Sequence, residues 1–524
     1  MPTLVSAGVS VTIEDESFYI PASASTVPLF ILATRADKLQ PDGVTAAAGA
    51  LENNVVRTIT SLNQSVTTYG VPHFRTTGSA QHHGDARNEY GLFALNQYLS
   101  LGNLAYTVRA NVDLADAPVI TWSASAPAAG GGNVGNGTVG SLTVDQNTAV
   151  AETWTLTATN ATTFTVDGSV SAPVPNATVG TPYSNGIVSF TITAGGTAFQ
   201  AGDTFTFTVS SSTQNNPLGA TDALRRTTIV SALASVINSN MDIRSDLYEY
   251  NILCCPGYHE VVDELLALND AIGKEAFIVA DTPFNKTPEE TATWSLTVDR
   301  RRSENVSYYY PHCLASNLDG VEVFGAASGV ALKAITYSDN VSEVWMPPAG
   351  FRRGNVTGVA NIGYVTGTLG AATTFVAAPL NQGQRDALYD FNKNVNPISF
   401  FPGRGITVFG QKTSYNVASA LDRINVVRLL NKMKRDIRKA SMSFLFELND
   451  RITRETIKAM IDDYLSDILQ RRGLYDYVVQ CDEQNNTAVR IDRNELWVDI
   501  AVKPAKAVEF IYIPIRVVTT GADL

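Results

Sequence analysis

The sequence contains few of the residues that carry nucleophilic, redox or metal chemistry. Four cysteines and five histidines occur in 524 residues, too few for a disulfide framework and offering few bases for a nucleophilic triad. Cys254 and Cys255 are adjacent and end an apolar run, so we expect them to be reduced core residues. No G-x-S-x-G elbow is present, and His82 and His83 lack an H-x-x-x-H or C-x-x-C spacing. We therefore predict no catalytic residue, no metal site and no enzymatic activity.

The glycine-rich motifs do not predict a nucleotide site. Gly135–Gly140 matches G-x-G-x-x-G, but it leads into a strand pattern and not into the helix N-terminus that would hold a pyrophosphate. Gly405–Thr413 is similar to a P-loop, but Gln411 stands between Gly410 and Lys412, so the segment lacks the Gly-Lys pair that a P-loop requires. We expect a flexible loop and a β-turn at these two places, and we predict no cofactor.

Basic charge and long apolar runs are also scarce. The net charge is −12 and the pI is near 5.0, which argues against broad electrostatic binding to nucleic acid or anionic lipid. Residues Met1–Leu4 lack the basic region of a secretory signal, and the early apolar stretch Val27–Ala33 is too short to span a membrane. We expect a soluble chain, made in a cytoplasm, that neither binds nucleic acid nor inserts into a membrane.

A long segment without basic residues marks an insertion. Between Ala110 and Leu224 there is no Lys, Arg, His or Cys, and threonine-rich alternation recurs between turn signals such as Asn185–Gly186. Alternation with period two is typical of half-buried strands. The flanking segments instead alternate helical spacing with short apolar strands, as in Val261–Ile272 followed by Ala276–Ala280. The pattern predicts an all-β domain inserted into an α/β domain.

Both ends of the chain have strand patterns that are too apolar for loose tails. Near the start, apolar residues occupy the odd positions of a half-buried strand: Val5, Ala7, Val9, Val11 and Ile13. Near the end, both faces of the strand pattern are apolar: Phe510, Ile511, Tyr512, Ile513, Ile515 and Val517. Residues 14–26 could span ~40 Å if extended. We predict that each end adds a strand to a neighbouring molecule.

Two helices are predicted in the last third. Ile457–Leu469 carries an unbroken apolar stripe, with Asn449 or Asp450 as the possible N-cap and Gly473 after its end. The earlier helix, Leu421–Lys439, has cations at spacings that share one face: Arg428, Lys432, Arg435 and Lys439. This basic face is either simply solvated or contacts a charged partner surface.

The chain resembles a known family, the contractile tail sheath proteins of bacteriophages and related injection machines. The segments that carry the resemblance lie in the last third: Asn396–Ile398, Phe401–Ile406, Val408–Gly410, Arg423–Arg428, Phe446–Asp450, Asp482–Asn486 and Lys503–Ile511. Weaker similarity extends to Ala7–Val11, Tyr98–Arg109 and Met346–Gly350. Ala7 stands where the family commonly has proline, which leaves the start of the N-terminal arm open.

The resemblance implies an α+β multidomain fold. Its parts are a discontinuous α/β core domain formed by both termini, an interrupted α/β middle domain and an inserted all-β domain. The expected boundaries are an N-terminal arm at 1–27, a middle domain at 28–111 and 217–350, an outer domain at 112–216, and a C-terminal sheath core domain at 351–524 that ends in an exchange strand. The basic face Arg428, Lys432, Arg435 and Lys439 would then face the inner tube.

The function implied by the resemblance is that of a structural subunit in a contractile sheath. Such a subunit polymerises helically around an inner tail tube and contracts to drive that tube through a host envelope. The expected partners are further copies of the chain in stacked hexameric rings, the tube protein, and the baseplate and tail terminator proteins, all within a virion. The alternatives are the sheath of a bacterial contractile injection system or bacteriocin, and a β-rich adhesin.

Overall fold

The computed structural model of the chain describes residues 26–171, 174–510 and 512. The chain divides into two compact units. The first unit holds the described residues up to Ala115 and from Thr221 onward, and the inserted unit runs from Asp116 to Ala220. The fold is a mixed α/β multidomain fold.

Helices lie mainly in the first unit, which also has short 3₁₀ turns at Asp242–Arg244, His259–Val261, Ala420–Asp422 and Met442–Phe444. The α-helices are α1 Ala48–Leu51, α2 Leu62–Tyr69, α3 Tyr90–Leu99, α4 Asp222–Ser239, α5 Val262–Ala271, α6 Pro288–Trp294, α7 Ala327–Val341, α8 Gly350–Arg353, α9 Gln382–Leu388, α10 Ile424–Ser441, α11 Arg451–Gln470 and α12 Ala488–Asp492. 

Strands occur in both units. They are β1 Pro28–Thr34, β2 Val56–Ile59, β3 Thr76–Thr77, β4 Ala80–Gln81, β5 Ala105–Asp113, β6 Val119–Ala124, β7 Ala128–Ala129, β8 Thr138–Val144, β9 Glu152–Ala158, β10 Thr163–Gly168, β11 Ala177–Thr178, β12 Pro182–Ser184, β13 Val188–Thr193, β14 Thr204–Gln214, β15 Ile252–Cys254, β16 Phe277–Asp281, β17 Val306–Tyr310, β18 His312–Ser316, β19 Glu322–Gly325, β20 Asn361–Thr366, β21 Thr374–Ala377, β22 Val395–Phe401, β23 Gly405–Val408, β24 Leu474–Gln480 and β25 Asp499–Pro504.

The core of the first unit is a sheet with strand order β2-β5-β1-β15-β16-β17-β22-β23 among the described residues. The pairs from β5 to β22 are parallel, and β2 and β23 are antiparallel edge strands. Every residue of β1 is buried, as expected for a strand in a parallel sheet that helices cover. Helix α3 packs against β1 and α7, and α4 packs against β5 and α5.

The sheet pairing crosses the predicted boundary between residues 350 and 351. Strand β22 pairs with β17 through Tyr308↔Val395, so residues after 350 complete the sheet that the middle segment begins. A second sheet does the same, since β20 pairs with β18 through His312↔Gly363. The structure therefore differs from the predicted split into a middle domain and a domain at 351–524, because strand pairing joins the two segments.

The inserted unit consists of strands where the described residues have regular structure. One sheet has the order β11-β10-β9-β14-β6, with β7 also on β14, and another has the order β12-β13-β8. Aromatic and aliphatic side chains fill its core, including Trp154, Phe164, Phe190 and Phe207. The unit begins at 116 and not at the predicted 112, because β5 continues in the first unit's sheet to Asp113.

The C-terminal part of the first unit has its own hydrophobic cluster. Leu429 and Met433 of α10 pack there with Ile461 and Leu465 of α11 and with Trp345. The predicted amphipathic helix is confirmed as α11, and Asp450 is the N-cap that accepts a hydrogen bond from the Thr453 N–H at 2.8 Å. None of the helices among the described residues is both long and apolar enough to cross a membrane.

Candidate assembly site

The candidate site is built around a sheet of two strands, β24 and β25. The strands are antiparallel, with Tyr477 opposite Val502 and Val479 opposite Ile500, and the sheet packs against α11. Neither strand pairs with any other strand in the described part of the chain. The outer edges therefore present backbone N–H and C=O groups that a further strand can pair with.

Apolar side chains are exposed on and near this small sheet. Tyr475 and Val478 of β24 are 65% and 61% exposed. After β25, Val508 and Phe510 are 79% and 67% exposed, and Tyr512 is 87% exposed. Exposed apolar side chains on a strand with an open edge, and in the segment that follows it, are typical of an interaction surface.

Glu509 anchors the C-terminal segment just before its exposed residues. The Arg423 guanidinium donates two hydrogen bonds to the Glu509 carboxylate, with Nε to Oε1 at 2.7 Å and Nη2 to Oε2 at 3.0 Å. Gln411 Nε2 donates to the same Oε1 at 3.0 Å. Burial lowers the pKa of Arg423, but its interactions with Glu509, Tyr389 and Asp422 together outweigh that effect, and the pKa lies above its ordinary value. The anchor fixes where the chain leaves the body of the first unit.

The predicted arm residues fall largely outside the described residues. This holds for Val5, Ala7, Val9, Val11 and Ile13 at one end and for Ile511, Ile513, Ile515 and Val517 at the other. Phe510 and Tyr512 are described, and they are exposed and belong to no strand of this chain. The strand exchange predicted for both ends therefore stays a prediction.

The structure corrects the interpretation of the basic helix as an exposed cationic face. Arg428 is 4% and Arg435 6% exposed, and the Arg428 guanidinium is held by Asp339. Lys432 Nζ lies 2.8 Å from Asp436 Oδ2, and Lys439 pairs with Glu249. The helical spacing was right, but two of the four cations are buried and the other two pair with carboxylates of the same chain, so the four do not form an exposed cationic face. The tube-facing role stays a prediction.

A cavity of about 420 Å³ lies beside the same helix. Its lining includes Glu249, Glu275 and Arg438. Arg438, which the sequence analysis did not single out, pairs with Glu275 at 2.7 Å and with Asp246 at 3.1 Å. Arg438 thus pairs with acidic groups of the same chain. These groups are far from it in sequence, so the sequence pattern did not predict the pairing.

The cysteines and histidines do not converge on one site. All four cysteines are free and buried, and burial raises the pKa of the Cys313 thiol to about 12. Burial also lowers the pKa of His259 to about 4 and that of His312 to about 3. Among the described residues, no group of three or more His, Cys, Asp or Glu side chains is arranged to hold a metal ion.

The comparisons with known proteins point to one family. Residues 417–518 match the family model described as "Phage tail sheath C-terminal domain". The tail sheath protein of Vibrio phage KVP40 is 44% identical over 187 residues, which are 36% of this chain and 26% of that protein. The tail sheath protein of Enterobacteria phage T4 is 37% identical over 186 residues, again 36% and 26% of the two chains. The chain thus spans about a quarter of the length of these curated relatives.

Solved structures extend the similarity to nearly the whole chain at the level of fold. The sheath complex of an extracellular contractile injection system, PVC, in the contracted state has a TM-score of 0.54 at 15% identity and covers 98% of each chain. The helical sheath of the anti-feeding prophage in the contracted state has a TM-score of 0.53 at 17% identity, covering 98% of this chain and 99% of that one. These findings confirm the resemblance to contractile tail sheath proteins that the sequence predicted.

Proposed function

We propose that the chain is the structural subunit of a contractile tail sheath. In this role it polymerises helically around an inner tail tube and contracts to drive the tube through the host envelope. The observation that carries the proposal is the 44% identity over 187 residues with a phage tail sheath protein. The similarity in fold over 98% of the chain supports it.

The proposed assembly is held together by strands exchanged between copies. A strand given to a neighbour makes a heterologous contact, which generates a helical array when the rotation does not close. The open edges of β24 and β25 suit such a strand, and each backbone hydrogen bond formed there contributes ~1 kcal/mol net. The arms can stay joined while the bodies rotate and repack, so contraction needs no nucleotide.

The wider biological role follows from this proposal. The partners are further copies in stacked hexameric rings, the inner tube protein, and the baseplate and tail terminator proteins. The subunit has no enzymatic activity, is made in the host cytoplasm and resides in the virion. The inserted unit, 116–220, decorates the outside of the sheath.

A second candidate has a specific observation in its favour. The similar folds with TM-scores above 0.5 include sheaths of an extracellular contractile injection system and of the anti-feeding prophage. The chain could therefore form the sheath of an injection system and not of a phage. Purified particles distinguish the two candidates, because only a phage sheath copurifies with a DNA-filled capsid.

Negative-stain electron microscopy of the purified chain tests the proposal. We expect rings or tubes for the full chain, and folded but unassembled subunits after deletion of residues 2–13 or truncation after Glu509. Truncation after Gly521 is the matched control, because it shortens the same end without removing the apolar residues up to Val518. Long ordered tubes from either arm deletion would refute strand exchange, and a full chain that never forms tubes or rings would refute the sheath role.

A further inference from the structure

Three phenylalanine rings form a cluster on the first unit. Phe351 lies in α8, Phe401 ends β22 and Phe409 follows β23. The ring centroids of Phe401 and Phe409 are 4.8 Å apart, and Phe351 lies 5.0 Å from Phe401 and 5.5 Å from Phe409. Phe351 is 44% and Phe409 39% exposed. We call these three residues the aromatic patch.

Two arginines lie over the aromatic patch. The Arg385 guanidinium carbon is 5.1 Å from the Phe401 ring centroid, and that of Arg404 is 5.5 Å from the Phe351 centroid. Arg385 donates hydrogen bonds to the Leu380 carbonyl at 2.9 Å and to the Ser399 hydroxyl at 3.5 Å. Within residues 26–171, 174–510 and 512, neither arginine has a carboxylate at ion-pair distance, in contrast to Lys38, Arg87 and Arg428.

This combination defines the chemistry of a partner. Arginine and exposed aromatic side chains together are enriched at the energetic centres of protein interfaces. The rings bury apolar area against another aromatic side chain, and each guanidinium can hold a carboxylate through two hydrogen bonds. A fitting partner therefore has carboxylates next to aromatic residues.

The chain itself contains such a segment, outside the described residues. Residues 14–20 read Glu-Asp-Glu-Ser-Phe-Tyr-Ile, three consecutive acidic residues followed closely by two aromatic ones. From Phe18 to Thr26 there are eight residues, which span up to ~28 Å when extended. Thr26 itself is fixed, because its hydroxyl donates to the buried Asp339 carboxylate.

We propose that residues 14–20 of a second copy dock on the aromatic patch, with the acidic residues binding Arg385 and Arg404 and with Phe18 and Tyr19 packing on the rings. The proposal rests on the proposed function, since it requires that copies assemble. It assigns a second contact to the N-terminal arm, in addition to the strand predicted from Val5 to Ile13. The segment would fix where the neighbour's arm crosses the first unit.

A pair of introduced cysteines tests the contact in the full chain. Glu16→Cys is combined with Arg404→Cys, the assembled protein is oxidised mildly, and the products are separated on a non-reducing gel. A disulfide forms only when the two Cα atoms come within ~7 Å, and the four native cysteines are buried. We expect dimers and a ladder of higher bands. Glu16→Cys with Arg302→Cys is the matched control, because Arg302 is exposed and lies outside the patch, and it should give monomers.

The outcomes separate this proposal from the sheath role. Tubes without cross-linked bands would overturn the docking and leave the sheath role standing. A disulfide within one chain, which migrates as a monomer and shifts on reduction, would overturn the second-copy assignment. A chain that never assembles would refute both proposals.

A charge exchange gives an independent readout. We expect Arg385→Glu with Arg404→Glu to lower the assembly constant, measured by sedimentation, by roughly tenfold. In the same chain, changing Glu14, Asp15 and Glu16 to lysine should restore most of the lost assembly constant. Failure of this rescue would contradict the pairing. Binding of a single-stranded oligonucleotide that Arg404→Glu abolishes would assign the patch to nucleic acid and overturn the proposal.

Discussion

The Arg428 guanidinium donates two hydrogen bonds to the Asp339 carboxylate, with Nη1 2.9 Å from Oδ1 and Nη2 2.5 Å from Oδ2. The Arg428 side chain is 3% exposed and that of Asp339 is fully buried. The Thr26 hydroxyl donates to the same carboxylate. One carboxylate on α7 therefore joins α10 to the point where the N-terminal segment enters the sheet.

Asp339→Asn should destabilise the first unit strongly. The substitution keeps the size of the side chain but leaves the buried Arg428 cation without its counter-charge. Breaking a buried pair in this way typically costs ~3–5 kcal/mol. We expect a loss of roughly 3 kcal/mol in the free energy of unfolding, measured by urea denaturation.

A second ion pair on the same helix provides the control. Lys439 pairs with Glu249, and these side chains are 23% and 55% exposed. Glu249→Gln should therefore lower the free energy of unfolding by less than ~1 kcal/mol, because solvent-exposed ion pairs contribute little to stability. If Asp339→Asn and Glu249→Gln lowered the unfolding free energy equally, burial would not determine how much these two ion pairs stabilise the chain.

Glu509→Gln should impair assembly more than folding. The change removes the charge that Arg423 holds but keeps a side chain of equal size. Because the two side chains are partly exposed, at 16% and 25%, we expect the unfolding free energy to fall by about 1 kcal/mol or less. The segment after Glu509 would lose its fixed exit, and ordering each backbone residue anew costs ~1–2 kcal/mol. Sedimentation should show fewer assemblies than for the parent.

Glu483→Gln is the control for this experiment, because Glu483 is exposed and lies in the same C-terminal region. It should assemble like the parent. If Glu509→Gln also assembles normally, the anchor does not position the C-terminal segment.

The inserted unit should be removable. Its two ends lie close together, since Val119 pairs with Gln214 across β6 and β14 and Asp116 Oδ1 accepts a hydrogen bond from the Leu218 N–H at 3.0 Å. A short Gly/Ser linker in place of residues 117–219 can therefore bridge the gap, at little entropic cost. We expect a soluble chain with a cooperative unfolding transition. Aggregation under conditions in which the parent stays soluble would show that the first unit needs the inserted one.

Local patterns predicted individual elements well. The apolar stripe and cap residues predicted α11 because helix periodicity and capping depend on residues three or four positions apart. The run Val27–Ala33 contains most of β1, and its uniform apolarity fits a strand buried on both faces. The resemblance to sheath proteins was carried by the last third, where the family model also matches.

Long-range pairing could not be predicted from the same patterns. Arg428 and Asp339 are 89 positions apart, so the helical spacing of the four cations contained no sign of the partner that buries one of them. The pairing of β17 with β22 across the predicted boundary at 350/351 is long-range as well, and local patterns contained no sign of it. The aromatic patch draws its rings from α8, β22 and the residue after β23, and only the fold brings them together.

Stability should fall on mild acidification because of His312. This ring is fully buried, with Phe284 at 4.8 Å and Phe324 at 5.5 Å between ring centroids. Burial, with a smaller contribution from the cation of Arg226, lowers its pKa from 6.5 to about 3. Between those values the unfolded chain binds a proton that the folded chain does not, so the unfolding free energy decreases as the pH falls. Protonation of His312 in the unfolded chain alone lowers the free energy of unfolding by up to ~2 kcal/mol between pH 6.5 and pH 5.

His312→Gln tests the assignment, because glutamine does not titrate and can accept the hydrogen bond that His312 Nδ1 receives from the Ala327 N–H at 3.2 Å. The unfolding free energy of the variant, measured by urea denaturation at pH 7, 6 and 5, should depend less steeply on pH than that of the parent. Some slope should remain, because burial also lowers the pKa of His259, to about 4. An unchanged slope in the variant would mean that His312 is protonated in the folded chain as readily as in the unfolded one, contrary to its burial between the two phenylalanine rings.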